Sequence, residues 1–579
     1  MPLEKLNIVG YSDGFGDAPI LKIDRITVLG LILLIAFGIS AVLMSSFGES
    51  VSWHFLLAFY PLIVILFGVA LLKQSGLRMA FVGLTVTLLL TVFEFDTSFQ
   101  VAAGAAVYGF IKSFGISISV TGTMFMIFLM KEVGALETIS RVIKRQVVGN
   151  EAQALYIGIG FGSFLSSLGV VTPALFPPLL VAMGFSPTAA IAIAVLGYDP
   201  TTSFSLLSIP ITLPAQIGGL NALELAFKVA IFLPLVSVGF AFAILWVVGG
   251  KQSMRRGAAP AAISGMVLAL ACICSTFVDF TTGVEYIPLR IIGVVGGLCA
   301  MLSLYAYQKL KQPTATNEKG IDYPSRNAVL RSFSPWIILA VLATIVSVPQ
   351  IGAWLSSVPG NFEKITVFAN QTVDLDVLSQ IYTWIFVAIM LSFLTLRPSK
   401  VQVQHAAIAW LRKFAGPFLS YSLYFSISFV MAYSAMQIVG GNLMQSASYA
   451  TSNMNVILGT TLAAAFGTGY IFVAAYLGLF GAVVGGSETS SNVLFLNIQK
   501  TAATDVGLNN TGFMTIYGSH AVAGGIASAI TPAKINNAVV TIDESHAIES
   551  TIMRKHLIIA ILLTIATGIL TGVFVNLGI

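Results

Sequence analysis

The chain has 579 residues, 57% of them hydrophobic and only 9% charged, with a mean hydropathy of +0.92. An ordinary soluble domain carries roughly 25% charged residues, so this composition excludes one and indicates an integral membrane protein with many spans. The net charge of +5 comes from basic residues grouped in short loops between apolar runs. That is the pattern of orientation signals and not of a nucleic-acid-binding surface.

A span needs about 20 apolar residues. After a short mixed-charge tail at 1–25, spans are expected near 26–47, 55–72, 79–95 and 113–130. The run at 26–47 is too long for a signal-peptide core and reads as a retained first span. The Ala/Gly-rich segment 99–112 is expected along the interface. The stretch KEVGALETISRVIKRQ at 131–146 is basic and amphipathic, and reads as a cytoplasmic surface helix.

Residues 152–184 break the simple pattern. The stretch YIGIGFGSFLSSLGVVTPALFPPLLVAMGF places Gly169, Pro173, Pro177 and Pro178 inside an apolar run. Proline removes a donor and clashes with the preceding turn, so two half-helices joined as a re-entrant hairpin are expected. A broken span at 187–215 follows, with GYDPTTSFS at its centre. Further spans are expected near 222–249, 258–279, 286–308, 333–348, 381–396 and 414–437. Cys272, Cys274 and Cys299 all lie in apolar runs, and the first two point to different sides of a helix. A disulfide framework or a metal site is therefore not expected. A second hairpin at 455–503 carries GSETSSN at its tip, a second broken span covers 511–534, and 556–577 closes the chain.

Basic loops at 73–78, 131–145, 251–256, 309–331, 397–413 and 554–555 fall on one side of this layout. The positive-inside rule makes that side cytoplasmic, with the N-terminus on it and about 13 crossings plus two hairpins. The sequence reads as an all-α polytopic membrane protein. Its parts are N-terminal helices at 26–112, a first repeat at 113–250, linking helices at 251–413 and a second repeat at 414–579. The spans before the two hairpins run in opposite directions, so the repeats are inverted, as in secondary transporters.

Lipid offers a backbone no hydrogen bonds, so broken helices at membrane depth must face protein or a water-filled cavity. Half-helix N-termini present free N–H groups and a partial positive charge, which suits an anion. The second half-helix of GSETSSN is expected to start near 490–492. Ser487, Thr489, Ser490, Ser491 and Asn492 would then ring a small carboxylate; the bland alternative is an ordinary polar loop with a helix cap.

GSETSSNVLF resembles the GSDTSSN-type motif of the lactate permease family. VYGF at 107–110, the Gly-rich hairpin after a basic amphipathic stretch, IP at 209–210 and ITP at 530–532 match as well. The resemblance spans about residues 55–577. It implies uptake of L-lactate, and often glycolate, with protons. It also implies inverted repeats with re-entrant hairpins, as in the broader ion-transporter superfamily, a plasma (inner) membrane location and a homodimer. Three positions depart from the family's pattern. Ser166 stands where a Glu is usual, Ser528 where a Lys is usual, and LGYDP replaces VNTAP and so adds Asp199. Lys534 lies close to the second of these.

The ionisable candidates each carry a competing structural reading. Asp199, Glu488 and His520 are candidates for proton coupling. Asp199 before Pro200 also suits a helix start, Glu488 also suits fixing its loop, and His520 also suits packing. Lys534 would neutralise a substrate carboxylate, or would snorkel to the cytoplasmic surface. Thr172 at the first tip, with Thr201, Thr202 and Ser203, would add hydroxyls to the site, although hydroxyls also bond back to helix carbonyls. Sodium coupling stays open, because unwound carbonyls bind it without a carboxylate.

The reading is a transporter without cofactors and not an enzyme: HExxH and Walker A patterns are absent from the sequence. The alternatives are a carrier of a different organic anion, Na+-coupled or exchanging, or an ion channel.

Overall fold

Backbone groups removed from water must bond within their own segment, and an apolar chain meets that demand with helices. The computed structural model describes residues 51–70, 72, 74–311, 324–346, 348–358, 364–542, 544 and 547–579. The tail 1–25 and the span expected at 26–47 lie outside the described residues, as do parts of the loops at 309–331 and 349–380. Among the described residues, 11 helical segments are long and apolar enough to cross a membrane. Shorter apolar helices lie at 53–69, 172–182 and 381–396. The protein is an all-α, multi-pass membrane protein.

Helices α1 (Val51–Ala70) and α2 (Gly76–Phe93) open the described chain, followed by α3 (Phe99–Lys112), α4 (Phe114–Glu132) and α5 (Ala135–Gln146). The surface helix expected at 131–146 is amphipathic as built. Leu136, Ile139, Val142 and Ile143 of α5 are buried, whereas Glu137, Arg141 and Arg145 are exposed.

A unit of hairpin and broken helix follows. α6 (Asn150–Leu155) runs through a wide π turn, Tyr156–Gly162, into α7 (Ser163–Ser167). The chain reverses at 168–171, where Gly169 takes φ +91°, and returns as α8 (Thr172–Ala182). Then α9 (Pro187–Leu196) gives way to a 3₁₀ turn, Asp199–Phe204, before α10 (Ser205–Gly218). Three consecutive residues beyond this break, Leu206, Leu207 and Ser208, have φ of 49°, 59° and 61°. That left-handed stretch costs about 1–2 kcal/mol per residue for non-glycine side chains.

The span expected at 222–249 is divided into α11 (Ala222–Ala230) and α12 (Leu233–Arg256). Asn221 caps the first by accepting from Leu223 N at 2.9 Å. Pro234 in the first turn of the second has no N–H with which to continue the ladder. The linking helices are α13 (Ala258–Thr282), α14 (Ile292–Lys311), α15 (Arg326–Val346), α16 (Pro349–Ser356), α17 (Ile381–Leu396), α18 (Lys400–Lys413) and α19 (Ala415–Ala432). Cys272 is buried and Cys274 exposed, in line with their two-residue offset on α13.

The segment 99–112 does not lie free at an interface: α3 packs on α19. Ser426 Oγ donates to Ala106 O at 2.7 Å, and a Cβ on Gly109 would come within 2.6 Å of the Phe425 carbonyl oxygen. Two small antiparallel β-hairpins, unanticipated from the sequence, pair β1 (Lys364–Phe368) with β2 (Gln371–Asp374) and β3 (Met436–Val439) with β4 (Asn442–Gln445). Gly440–Gly441 makes the second turn with φ of +58° and +80°, the two-residue geometry that hairpins favour. The last residues of the span expected at 414–437 thus belong to a strand.

The same succession then recurs. After α20 (Tyr449–Ser452) and α21 (Met454–Phe466) come α22 (Tyr470–Gly485), a tip at 486–487 and α23 (Glu488–Asp505). Next, α24 (Asn510–Ile526) passes through a 3₁₀ turn, Ala527–Ile530, into α25 (Pro532–Thr541), and α26 (Ala547–Asn576) ends the chain. The broken helices occupy the centre. The apolar windows of 187–216 and 510–541 are 89% and 100% buried, against 33% for 326–346. Their freed backbone groups therefore meet protein, as the absence of water in a bilayer requires. Glycines let each hairpin press onto its own broken helix. A Cβ on Gly197 would lie 2.4 Å from Gly158 Cα, and one on Gly478 would lie 1.9 Å from His520 O.

Candidate functional site

The two tips and the two breaks meet around a cavity of about 70 Å³. The first tip contributes Ser166 at the end of α7 and Thr172 at the start of α8, where Pro173 occupies the first turn without needing a donor. The second tip turns at Gly486, with φ +67°. Ser487 caps α23 by accepting from Ser490 N at 3.1 Å, and Glu488 is the first helical residue.

The helix therefore starts two residues earlier than the sequence suggests, and this divides the motif. Gly486, Ser487, Glu488 and Thr489 line the cavity. Ser490, Ser491 and Asn492 turn away from it and fasten the tip. Ser490 Oγ lies 3.1 Å from Ser428 Oγ. Ser491 Oγ donates to Gly478 O at 3.2 Å, and Asn492 Nδ2 donates to Pro210 O at 2.9 Å. That last bond satisfies a carbonyl next to the left-handed stretch of α10.

The first break supplies Tyr198 and Thr202 to the wall. Thr201 Oγ1 donates back to Tyr198 O at 3.3 Å, and Thr202 Oγ1 donates to Asp199 O at 3.0 Å. Thr201 and Ser203 are buried behind the wall, and Ser203 faces Glu488. Asp199 is 2% exposed, and it too sits one layer behind the cavity.

The second break supplies Lys534. Its ammonium lines the cavity, donates to Ser528 Oγ and lies 5.3 Å from the centre of the Tyr198 ring. Lys534 does not snorkel: it is 8% exposed. Glycines 524 and 525 of α24 admit the carboxylate of Glu488. A Cβ on Gly525 would meet Glu488 Oε2 at 3.1 Å, Thr202 Cβ at 3.3 Å and Asp199 O at 3.9 Å. Tip and both breaks thus touch at one point.

Helices α8 and α23 begin at this cavity, at Thr172 and Glu488, and α25 reaches it through Lys534 in its first turn. A helix start carries a partial positive charge. Among the described residues lining the cavity, Lys534 is the one cationic side chain and Glu488 the one anionic side chain. The arrangement can take one small anionic group against Lys534.

His520 lies elsewhere. It is fully buried in the second hairpin, with Nε2 3.2 Å from Ser491 Oγ and Nδ1 2.9 Å from Gln499 Nε2. Gln499 Nε2 also donates to Ala474 O at 3.0 Å, and Gln499 Oε1 accepts from Tyr470 OH at 3.0 Å. A carbonyl only accepts, so the Gln499 atom between Ala474 O and His520 must be the amide nitrogen. His520 Nδ1 is then an acceptor and Nε2 carries the hydrogen. Every member of this network has its partner with the imidazole neutral.

Several wall residues escape the sequence reading, Tyr198 and Tyr421 among them. Tyr198 was legible in principle, because it directly precedes Asp199 in the interrupted stretch. Tyr421 arrives from the middle of α19 with no local signal.

The family model described as L-lactate permease matches residues 54–578. An L-lactate permease of Streptococcus iniae is 24% identical over 461 residues, covering 78% of this chain and 92% of that protein. A glycolate permease of Escherichia coli (strain K12) is 25% identical over 518 residues, covering 82% and 88%. An L-lactate permease of Bacillus subtilis (strain 168) is 24% identical over 533 residues, covering 82% and 88%.

Proposed function

The chain belongs to the L-lactate permease family, and from that premise we propose that it imports a small monocarboxylate, L-lactate or glycolate, with protons by alternating access. The observation that carries this reading is Lys534, a single buried ammonium on the wall of a small cavity at which two helices, α8 and α23, begin. One carboxylate is matched by that cation and those helix starts. A second carboxylate in the same cavity would face Glu488 and find no cation, at the cost of an unpaired buried charge. Monocarboxylates are favoured over dicarboxylates on that ground. The cavity suits a ligand of a few heavy atoms, since one water needs about 10–15 Å³ on the same scale.

The length of one arm supports a re-entrant first hairpin. α8 has 11 residues, about 16 Å at 1.5 Å per residue, against a hydrocarbon core of about 30 Å. The repeated order of hairpin and broken helix supports two inverted units moving against the linking helices, in a plasma membrane with the N-terminus cytoplasmic. Assembly as a homodimer is part of the same reading.

The test is counterflow in proteoliposomes loaded with unlabelled L-lactate. Labelled L-lactate and glycolate are expected to exchange and to accumulate under an inward proton gradient, and succinate is expected not to. A protein that is folded yet exchanges neither monocarboxylate would overturn the assignment.

A further inference from the structure

We infer that Asp199 is the group that takes up and releases the coupling proton, an assignment that rests on the transport reading above. Three ionisable residues stand near the breaks as candidates, and their surroundings separate them.

Asp199 Oδ1 and Oδ2 are both buried without a hydrogen-bond partner. The helix-start role open to an Asp before Pro is not taken. The turn Asp199–Phe204 has no side-chain cap, and Thr201 N bonds Tyr198 O at 3.0 Å instead. The neighbouring hydroxyls of Thr201 and Thr202 are spent on backbone carbonyls. A carboxylate with no donor in a dry interior is accommodated by taking a proton.

Glu488 is placed differently. It opens an 18-residue helix whose N-terminus favours negative charge. Ser203 faces its carboxylate, Asn492 Nδ2 lies 3.5 Å from Oε1, and Oε2 is buried without a hydrogen-bond partner. Glu488 thus has a helix start, Asn492 and the charge of Lys534 to offset its own, whereas neither Asp199 oxygen has a donor. His520 is held neutral by Gln499 and has no free lone pair for a proton.

The charges facing Asp199 are those of Lys534 from α25 and Glu488 from α23. Tyr198 adjoins it in the chain. α24 presents Gly525, while its Tyr517 donates to Asn492 O and its His520 faces the hairpin. The basic residues of α12 and α14, Lys251, Arg255, Arg256, Lys309 and Lys311, lie at exposed helix ends. In the empty carrier that returns after release, with the proton gone from Asp199 and both carboxylates ionised, the site carries one net negative charge. A bound monocarboxylate adds another, and one proton on Asp199 restores the original charge. An Asp199 oxygen forms an O–H bond with a proton from the water on the side of uptake. That bond breaks on the side of release and returns the proton to water, with no change of oxidation state. Loaded and empty carriers then carry equal charge.

A sodium ion fits less well. It needs several oxygens converging on one point, whereas no hydroxyl or amide lies within hydrogen-bond reach of the Asp199 carboxyl.

The experiment compares wild type, Asp199→Asn, Asp199→Glu and Glu488→Gln in proteoliposomes. Counterflow of labelled L-lactate is read without a gradient, and accumulation is read with an inward proton gradient. The expected result is that Asp199→Asn exchanges label but no longer accumulates it above equilibrium, while Asp199→Glu accumulates again. Glu488→Gln is expected to keep a proton-driven component in whatever transport it retains. The inference is overturned if Asp199→Asn still accumulates under the proton gradient. It is also overturned if Asp199→Asn loses exchange together with accumulation, or if wild-type accumulation follows Na+ instead. Wild-type protein that exchanges neither L-lactate nor glycolate would remove the transport reading itself and this inference with it.

Discussion

The ammonium of Lys534 lies over the ring of Tyr198, 5.3 Å from its centre, joining the second helix break to the first. A cation over an aromatic face gains about 0.5–2 kcal/mol. Replacing Tyr198 with Phe keeps that face, whereas Tyr198→Leu removes it. Substrate affinity is expected to stay close to wild type in the first variant and to fall about 2- to 30-fold in the second. Lys534→Gln removes the cation itself and should weaken binding by at least about 30-fold, as for other truncated buried charge pairs. Titration of purified protein with L-lactate checks all three. Wild-type affinity in Lys534→Gln would rule out its pairing with the substrate carboxylate.

His520 is expected to act as a strut of the second hairpin. His520→Gln should leave the shape of the rate–pH profile unchanged between about pH 5 and 8, the range in which a free imidazole would titrate. Its unfolding midpoint should drop, because each buried group left without a partner costs about 1–3 kcal/mol. A shifted or flattened profile in a folded variant would give His520 a place in proton movement.

The seat of that hairpin gives a steric prediction. A methyl on Gly478 would stand 1.9 Å from His520 O, whereas one on Gly416 meets only Asn536 Oδ1 at 3.9 Å. Gly478→Ala should destabilise the protein by about 1–3 kcal/mol or more through overpacking. Gly416→Ala should be neutral or slightly stabilising, because glycine within a helix costs about 0.5–1 kcal/mol. Thermal unfolding in detergent compares the two, and equal midpoints would contradict the close approach.

Glu549 anchors the half-helix that carries Lys534. It is fully buried, and its Oε2 accepts from Gly76 N and its Oε1 from Asn536 Nδ2, both at 3.0 Å. Glu549→Ala leaves both donors without this acceptor and should cost about 1–3 kcal/mol for each. Glu549→Gln retains one acceptor and should cost less. Unfolding midpoints ranked wild type, Gln, Ala are the expected outcome; an Ala variant as stable as wild type would show that the anchor is dispensable.

Composition and local pattern were enough to establish a polytopic helical protein. Apolar length sets the number of spans that a bilayer permits, and Gly169, Pro173, Asp199–Pro200 and Pro532 interrupt helices wherever they occur. The strand pair around Gly440–Gly441 was not anticipated, because the apolar run at 414–437 reads as continuing the span. The side of the tip that meets the cavity was not anticipated either. Each helical residue turns the side chain by about 100°, so a helix starting at Glu488 instead of near Ser490 redirects Ser490, Ser491 and Asn492 into packing. Nor does any local signal bring Tyr421 to the wall, or set Lys534 over Tyr198 with Asp199 bare of donors behind it. Those relationships join residues far apart in the chain, and they exist only because the two broken helices pack against each other at the centre of the molecule.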